Sequence, residues 1–406
     1  MTLNERLLGL EGSNNVQDQK APTPPKGWQA GVTWDGDAGT ITTGPLDEQP
    51  ADWGDLLAER GLSPDLYEIV GNSVKWCSLV GWKRDSADEP AYSATCYSYR
   101  AELRLKNPNR VNTAELFEDI RKAKAPKKVA TGSEDQHLVI LLSDWQVGNG
   151  DAGGAQAQLE KIAALPAALT AHIKGLRKSG KDVGHVVLAG MGDLVENTCG
   201  FYPSQQFLTQ LDRREQIRVV RRGVLDIIKA IAPLVPQVTV TAVAGNHGEN
   251  RQNGKAMTTV ADNDDVAVFE QVMEICAENP TAYGHVGFRL PTDRIATSIN
   301  LSGHIVAFTH GHLAKPSGGP ANTLWKWWTD QAMGREYPGV ADAGILCSGH
   351  YHHINVRAQQ NRVLFIAPSL TAVGDWWANA TGMRTDPGTL AFIVDPTGWN
   401  TMEIIR

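Results

Sequence analysis

The chain has 406 residues, 42% hydrophobic and 20% charged, with a formal net charge of −7. That length exceeds one ordinary core, so two domains are expected. The acidic balance gives no sign of a wholesale polyanion binder, although local basic patches remain open.

Five cysteines (Cys77, Cys96, Cys199, Cys276 and Cys347) occur singly, without CxxC spacing. This is the usage of a reduced, cytoplasmic protein. The first residues, "MTLNERLLGLEGSNN", carry no apolar signal core, and no apolar run approaches the ~20 residues of a membrane span.

Residues 1–25 are polar and end in "APTPPKG", which predicts disorder. Residues 26–112 read as a small α+β accessory domain. "GVTWDGDAGTITTG" predicts a hairpin around Asp35-Gly36-Asp37. "DWGDLLAERG" and "SPDLYEIV" read as short helices, and "SVKWCSLVGW" and "AYSATCYSYRAELRL" as paired strands. Helices followed by a hairpin suggest a winged-helix-like, nucleic-acid-binding unit. Five of the twelve tryptophans lie here (Trp28, Trp34, Trp53, Trp76 and Trp82) and read as core. Residues 113–134 form a helix running into a basic linker. Between residues 100 and 128, nine Lys or Arg stand against four acidic residues. Such a run is either a solvated tether or a phosphate-contacting stretch.

From residue 135 apolar strands alternate with helical patterns, as in layered α/β folds. The strands are "HLVILLSD", "HVVLAGMGD", "QVTVTAVAGNH", "HIVAFTHGH", "AGILCSGHYHH", "RVLFIAPS", "GTLAFIVD" and "NTMEIIR". A helix over 209–232 shows an apolar stripe of Ile217, Val220, Val224, Ile227 and Ile231. Arg214, Arg218, Arg222 and Lys229 occupy another face.

Five of these strands stop on metal-type ligands: Asp144; Asp193; Asn246 with His247; His310 and His312; His350, His352 and His353. Open α/β sheets bind ligands beyond the carboxyl ends of their strands. Mixed oxygen and imidazole donors suit Mn, Fe or Zn better than Ca. Six or seven such groups exceed the needs of one ion and fit a two-metal site.

The order Asp-x-(His), Gly-Asp, Gly-Asn-His, His, Gly-His-x-His resembles the calcineurin-like metallophosphoesterases across residues 135–406. The likeness within that superfamily leans toward SbcD-type nucleases and phosphoesterases of tailed phages. It implies a four-layer β-sandwich flanked by helices, in place of the doubly wound sheet that strand alternation alone would allow. It implies that Asp144 binds a first metal and Asp193 bridges two. Asn246, His310 and His350 would bind the second, and His352 would return to the first. His247 would stabilise charge or protonate the leaving group. Two positions depart from the motif. Gln146 stands where the family has histidine, and Gly248 where it has an acidic residue. Gln146 is therefore expected as a weak ligand of the first metal.

The implied activity is two-metal phosphodiester hydrolysis by a metal-bridging hydroxide, with manganese as the expected ion. The clusters "LWKWW" (Trp325, Trp327, Trp328) and "GDWW" (Trp376, Trp377), with Arg214 and Arg218, point to nucleic acid. Aromatic rings stack unpaired bases and cations track the backbone. The substrate expected is DNA, single-stranded first, cut in an exonuclease-like manner, by a protein that could be a homodimer. The rival readings are a phosphomonoesterase, a small-molecule or cyclic-nucleotide phosphodiesterase, and a non-catalytic scaffold of the same fold.

Overall fold

The computed structural model describes residues 28–34, 38–48, 52–60, 67–71, 73–83, 92–105, 113–124, 131–151, 153–202, 205–252, 254–291, 294–371 and 384–406, with residues 26, 50, 62, 64 and 382 singly. The expected disordered segment 1–25 and Trp376 and Trp377 lie outside them. The chain divides into two compact units, Met1–Arg110 and Val111–Arg406. All five cysteines are free thiols.

In the first unit, β1 (Gly31–Trp34) and β2 (Ala38–Thr42) pair antiparallel. Helix α1 (Trp53–Glu59) starts at Asp52, whose side chain accepts the Gly54 N–H at 2.7 Å. Strands β3 (Tyr67–Ile69), β4 (Lys75–Lys83) and β5 (Tyr92–Leu105) complete a five-stranded sheet. Ile41, Leu57, Ala101 and Leu103 form its core.

Three expectations fail here. "SPDLYEIV" contributes a strand, because Tyr67 and Ile69 pair with Leu105 and Leu103 instead of extending a helix. Among the described residues one helix lies with five strands, which is not a winged-helix pattern. Trp76 is not core: it is 62% exposed on β4, edge-on to Tyr97 at 5.7 Å.

The second unit runs α2 (Thr113–Lys122), β6 (Ser133–Leu142), α3 (Gly154–Lys178), β7 (Val183–Gly190), α4 (Arg213–Ile231), β8 (Gln237–Ala242), α5 (Asp264–Ala277), β9 (Val286–Arg289), β10 (Ala296–Leu301), β11 (His304–Thr309), α6 (Pro320–Gly334), β12 (Ile345–Ser348), β13 (Asn355–Gln359), β14 (Arg362–Ile366), β15 (Thr389–Asp395) and β16 (Gly398–Ile405). One sheet has the order β9-β8-β7-β6-β15-β16, the other β10-β11-β12-β14-β13.

Side-chain alternation explains the layering. In β6, Leu138, Ile140 and Leu142 face a core shared with α3, α4 and α5. Val139 and Leu141 face a second core shared with Val306, Phe308, Phe365 and Phe392. A strand covered on both faces reads as a continuous apolar run, and this is why β6 has no polar alternation. Phe365 and Phe392 stack at 4.5 Å and tie the two sheets together. The far face of the second sheet packs Ala307, Leu346, Leu364 and Ile366 against Leu324 and Trp328 of α6.

Helix α2 is docked on this unit. Ile120 is fully buried, and the Asn279 side-chain amide donates to the carbonyls of Ile120 and Ala123, both at 2.8 Å. Helix α4 is closed at its start by a reciprocal capping box between Asp212 and Glu215.

A buried polar chain crosses the starts of the strands. His137 Nδ1 lies 2.9 Å from His185 Nδ1, and His185 Nε2 lies 2.8 Å from Thr239 Oγ1. His137 Nε2 lies 2.8 Å from Ser302 Oγ, whose hydroxyl donates to Asp135. Burial, then His137 and Arg289, push the His185 imidazole down to about 4 from an ordinary 6.5. The folded protein therefore keeps His185 neutral while the unfolded chain takes up a proton below pH 6.5. Stability from this group is complete above that pH and declines toward pH 4, by about 3 kcal/mol. The urea midpoint should fall between pH 7 and about 4.5, and His185→Gln should flatten the fall. An unchanged slope in that variant would remove His185 as a cause.

Candidate metal centre

Strands β6, β7 and β8 run parallel, and Leu142, Gly190 and Ala242 lie opposite one another. Strands β11 and β12 are also parallel and end level, with Thr309 opposite Ser348. Both sheets therefore deliver their following residues to one edge. The connecting turns are tight. Asp144, Gln146, Asp193, His350 and His352 all have positive φ, between 42° and 72°. Non-glycine residues rarely hold this conformation unless their surroundings enforce it. Gly349 N donates to the His310 carbonyl at 3.1 Å, and Gln146 N to the Asp193 carbonyl at 2.9 Å.

Asp193, His310 and His350 form a group whose ligand atoms all lie within 4.8 Å of one another. His310 Nε2 sits 3.0 Å from Asp193 Oδ2 and 3.1 Å from Asn246 Oδ1. Its Nδ1 lies 2.8 Å from the Met191 carbonyl, so the Nδ1–H donates there and Nε2 faces the group. The Asn246 amide nitrogen is buried without a partner. This donor set fits one divalent ion, with Asp193, Asn246, His310 and His350 as its holders. Gly192 is required beside it: a side chain there would come 2.7 Å from Gly245 Cα and 2.9 Å from His310 Nδ1.

Asp144 and His352 make a sparser pair, His352 Nε2 standing 3.3 Å from Asp144 Oδ1. Asp144 also accepts the His350 N–H at 3.1–3.2 Å and the Ser143 hydroxyl. Gln146, expected as a ligand here, directs its amide at His247 Nε2, 3.3 Å away.

Burial opposes ionisation of Asp193, but His310 and then His247 outweigh it and hold the carboxyl well below its ordinary range. Asp144 is likewise kept low, His352 and His310 overcoming its burial. Burial would lower His247, yet Asp193 and Glu196 lift it to about 10. His310 rises to about 9 against its burial, chiefly through Asp193. Uptake of a metal must expel the His310 proton.

His247 is boxed in. Its N–H donates to Asp193 Oδ1 at 2.8 Å, and its Nδ1 faces the Glu196 carbonyl at 3.1 Å and carboxylate at 3.3 Å. The Phe201 ring lies over it at 4.3 Å, with the Arg251 guanidinium over the same phenyl ring at 4.9 Å. Glu196 also accepts the Tyr202 hydroxyl at 2.8 Å. Sequence reasoning missed Glu196 and Phe201. The available signal was an acid three residues beyond Asp193 in "GDLVEN", one short turn away from the histidine loop. His312 lies tilted beside His310 at 5.3 Å and contacts Glu249 at 3.2 Å, lining the group without joining it. His353 turns away, its Nδ1 on the Tyr351 carbonyl at 2.7 Å.

The expected substrate residues fare unevenly. Trp328 is corrected to core: it is 1% exposed and its indole N–H donates to the Val340 carbonyl at 2.9 Å. No base can stack on a ring so enclosed. Trp325 is half-buried under Arg357 at 4.6 Å. Trp327 is half-buried and lines a small cavity with His312. Arg214 is exposed on α4, 3.9 Å from Asp212, and Arg218 is half-buried on the same helix. Among the described residues neither arginine bonds to a ligand residue.

The sequence matches no protein-family model and no curated protein. Several solved structures are similar over about two thirds of the chain. A predicted phosphoesterase from Streptococcus pneumoniae is 13% identical, covering 64% of this chain and 84% of its own, with a TM-score of 0.26. Vps29 from Entamoeba histolytica, complexed with Zn2+, is 12% identical, covering 66% and 99%, with a TM-score of 0.27. A hypothetical protein from Pyrococcus horikoshii is 12% identical, covering 66% and 88%, with a TM-score of 0.33. Likeness of this degree bears on neither substrate nor residue roles. Among the described residues, no helix is long and apolar enough to cross a membrane.

Proposed function

We propose that this chain is a metal-dependent phosphodiesterase of the calcineurin-like metallophosphoesterase class, acting on nucleic acid, single-stranded DNA first. The observation that carries the reading is the convergence of Asp193, Asn246, His310 and His350 from four strand ends, beside the acid-paired imidazole of His247. When bound, a divalent ion supplies Lewis acidity toward a phosphoryl oxygen. The remaining work falls to the chain. Asp193 orients the donor set and accepts the His247 backbone N–H. Glu196 keeps a proton on His247 Nδ1, leaving Nε2 to serve the departing oxygen. Mixed oxygen and nitrogen donors suit Mn, Fe or Zn better than Ca, and manganese is the ion taken for the tests. Trp327 is half-buried beside His312 and is the candidate for an aromatic contact at the site's edge; the cavity between them is too small for a base.

The test is Mn2+-dependent hydrolysis of labelled single- and double-stranded DNA beside bis-p-nitrophenyl phosphate and p-nitrophenyl phosphate. Cleavage of single-stranded DNA and of the diester is expected. Preference for the monoester would make the chain a phosphomonoesterase. Mn2+ binding without turnover on any of them would leave a scaffold.

The same reading makes the two metal positions unequal. Gln146 engages His247 and offers at best a neutral amide oxygen, so the first position rests on Asp144 and His352 with the shared Asp193. Calorimetry on the metal-free protein should show one tight Mn2+ site and one weak one. Gln146→His should tighten the weak site by about tenfold or more. Two equal sites, unmoved by the substitution, would refute the asymmetry.

A further inference from the structure

Asp265 is the second residue of α5, 1% exposed, and its carboxylate does not serve its own helix. The cap of α5 is Asn263, whose side chain accepts the Asp265 N–H at 3.0 Å. The Asp265 carboxylate instead accepts four backbone N–H groups from elsewhere. Oδ2 takes Asp193 N at 2.9 Å and Gly245 N at 3.2 Å. Oδ1 takes Leu194 N at 2.9 Å and Val195 N at 3.4 Å.

Three of these donors lie in the turn that starts at Asp193, whose φ is 52°. The fourth lies in the turn that precedes Asn246. The Asn263 side-chain amide adds a bond to the Gly245 carbonyl at 2.8 Å, so the Gly245 residue is gripped at both its N–H and its C=O. The two turns close so tightly on this grip that they admit no side chain. A Cβ on Gly245 would lie 2.8 Å from Asp265 Oδ2, and one on Gly248 would lie 2.7 Å from it and 2.5 Å from Asn263 Oδ1. Glycine at position 248, where the resembling motif has an acid, is thereby explained: a carboxylate from α5 fills the space.

We propose that Asp265 is a positioning residue of the metal centre, holding the Asp193 turn and the Asn246 turn at the separation a shared ion needs. The proposal rests on the metal-centre reading above and names the residue that pre-organises it. Asp265→Asn keeps the shape but turns one acceptor into a donor that faces N–H groups, so part of the four-bond grip is lost.

The experiment is Mn2+ calorimetry on the whole chain without substrate, with circular dichroism to confirm folding. Asp265→Asn should weaken Mn2+ binding by about 10–100-fold, the range for groups that orient metal ligands. Gly248→Ala leaves every charge in place but crowds Asp265 Oδ2, and it should weaken binding in the same direction. Wild-type Mn2+ affinity in either folded variant would overturn the proposal. Absence of Mn2+ binding by the unaltered chain would instead overturn the metal-centre reading itself. A chain that binds Mn2+ but cleaves no phosphodiester would leave this proposal intact.

Discussion

Asp193→Ala is expected to reduce Mn2+-dependent hydrolysis of bis-p-nitrophenyl phosphate to background. The carboxylate touches everything at the centre: Oδ2 faces His310 Nε2 at 3.0 Å, and Oδ1 accepts the His247 N–H at 2.8 Å. Its loss removes the anionic member of the donor set and frees the turn before His247. It also removes the main charge that holds His310 and His247 protonated against their burial. Lewis-acid stabilisation is worth several kcal/mol, so the loss should reach ~10³-fold or more. Mn2+ binding should disappear with it. Asp193→Asn, which keeps the shape, separates charge from packing. Turnover near the wild-type rate in a folded Asp193→Ala protein would sink the metal-centre reading.

His247→Ala should leave Mn2+ binding near normal yet slow turnover by ~10²–10⁴-fold, as expected for loss of a general acid. The choice of substrate sharpens this. A p-nitrophenolate leaves without protonation, whereas the sugar alkoxide of DNA does not. The loss should therefore be much larger on DNA than on the chromogenic diester. Equal losses on both would assign His247 to charge stabilisation and remove its acid role. Glu196→Gln should follow His247→Ala in sign with a smaller loss, since it weakens only the partner of Nδ1.

Much of the centre was legible because its signal is local. An apolar run that stops on a carboxylate or an imidazole can be read from a few residues. Asp144, Asp193, Asn246, His310, His350 and His352 each stand just past such a run. The level ends of β6, β7, β8, β11 and β12 are what turn that list into one cluster. What the sequence hid are the contacts that span distance. Asp265 reaches back 72 residues to Asp193, and nothing in "NDDVAVF" distinguishes it from an ordinary acid in a first helical turn. Gln146 has a partner 101 residues away, so its amide could be read only as a weak ligand. Trp328 illustrates the opposite error. Trp325 and Trp327 are half-buried against the same apolar cluster that encloses Trp328, so the run "LWKWW" reads first as packing, a role its spacing alone does not reveal.

The docking of α2 bears on how the second unit is to be cut out for study. A fragment begun at residue 135, where the strand texture starts, discards Ile120 and leaves its socket open to water. The Asn279 amide would exchange both of its carbonyl acceptors for water. The cost lies in the apolar surface that Ile120 covers, about 1.5–3 kcal/mol for a fully buried aliphatic side chain. A fragment that keeps α2, begun before Thr113, is expected to melt higher than one begun at residue 135.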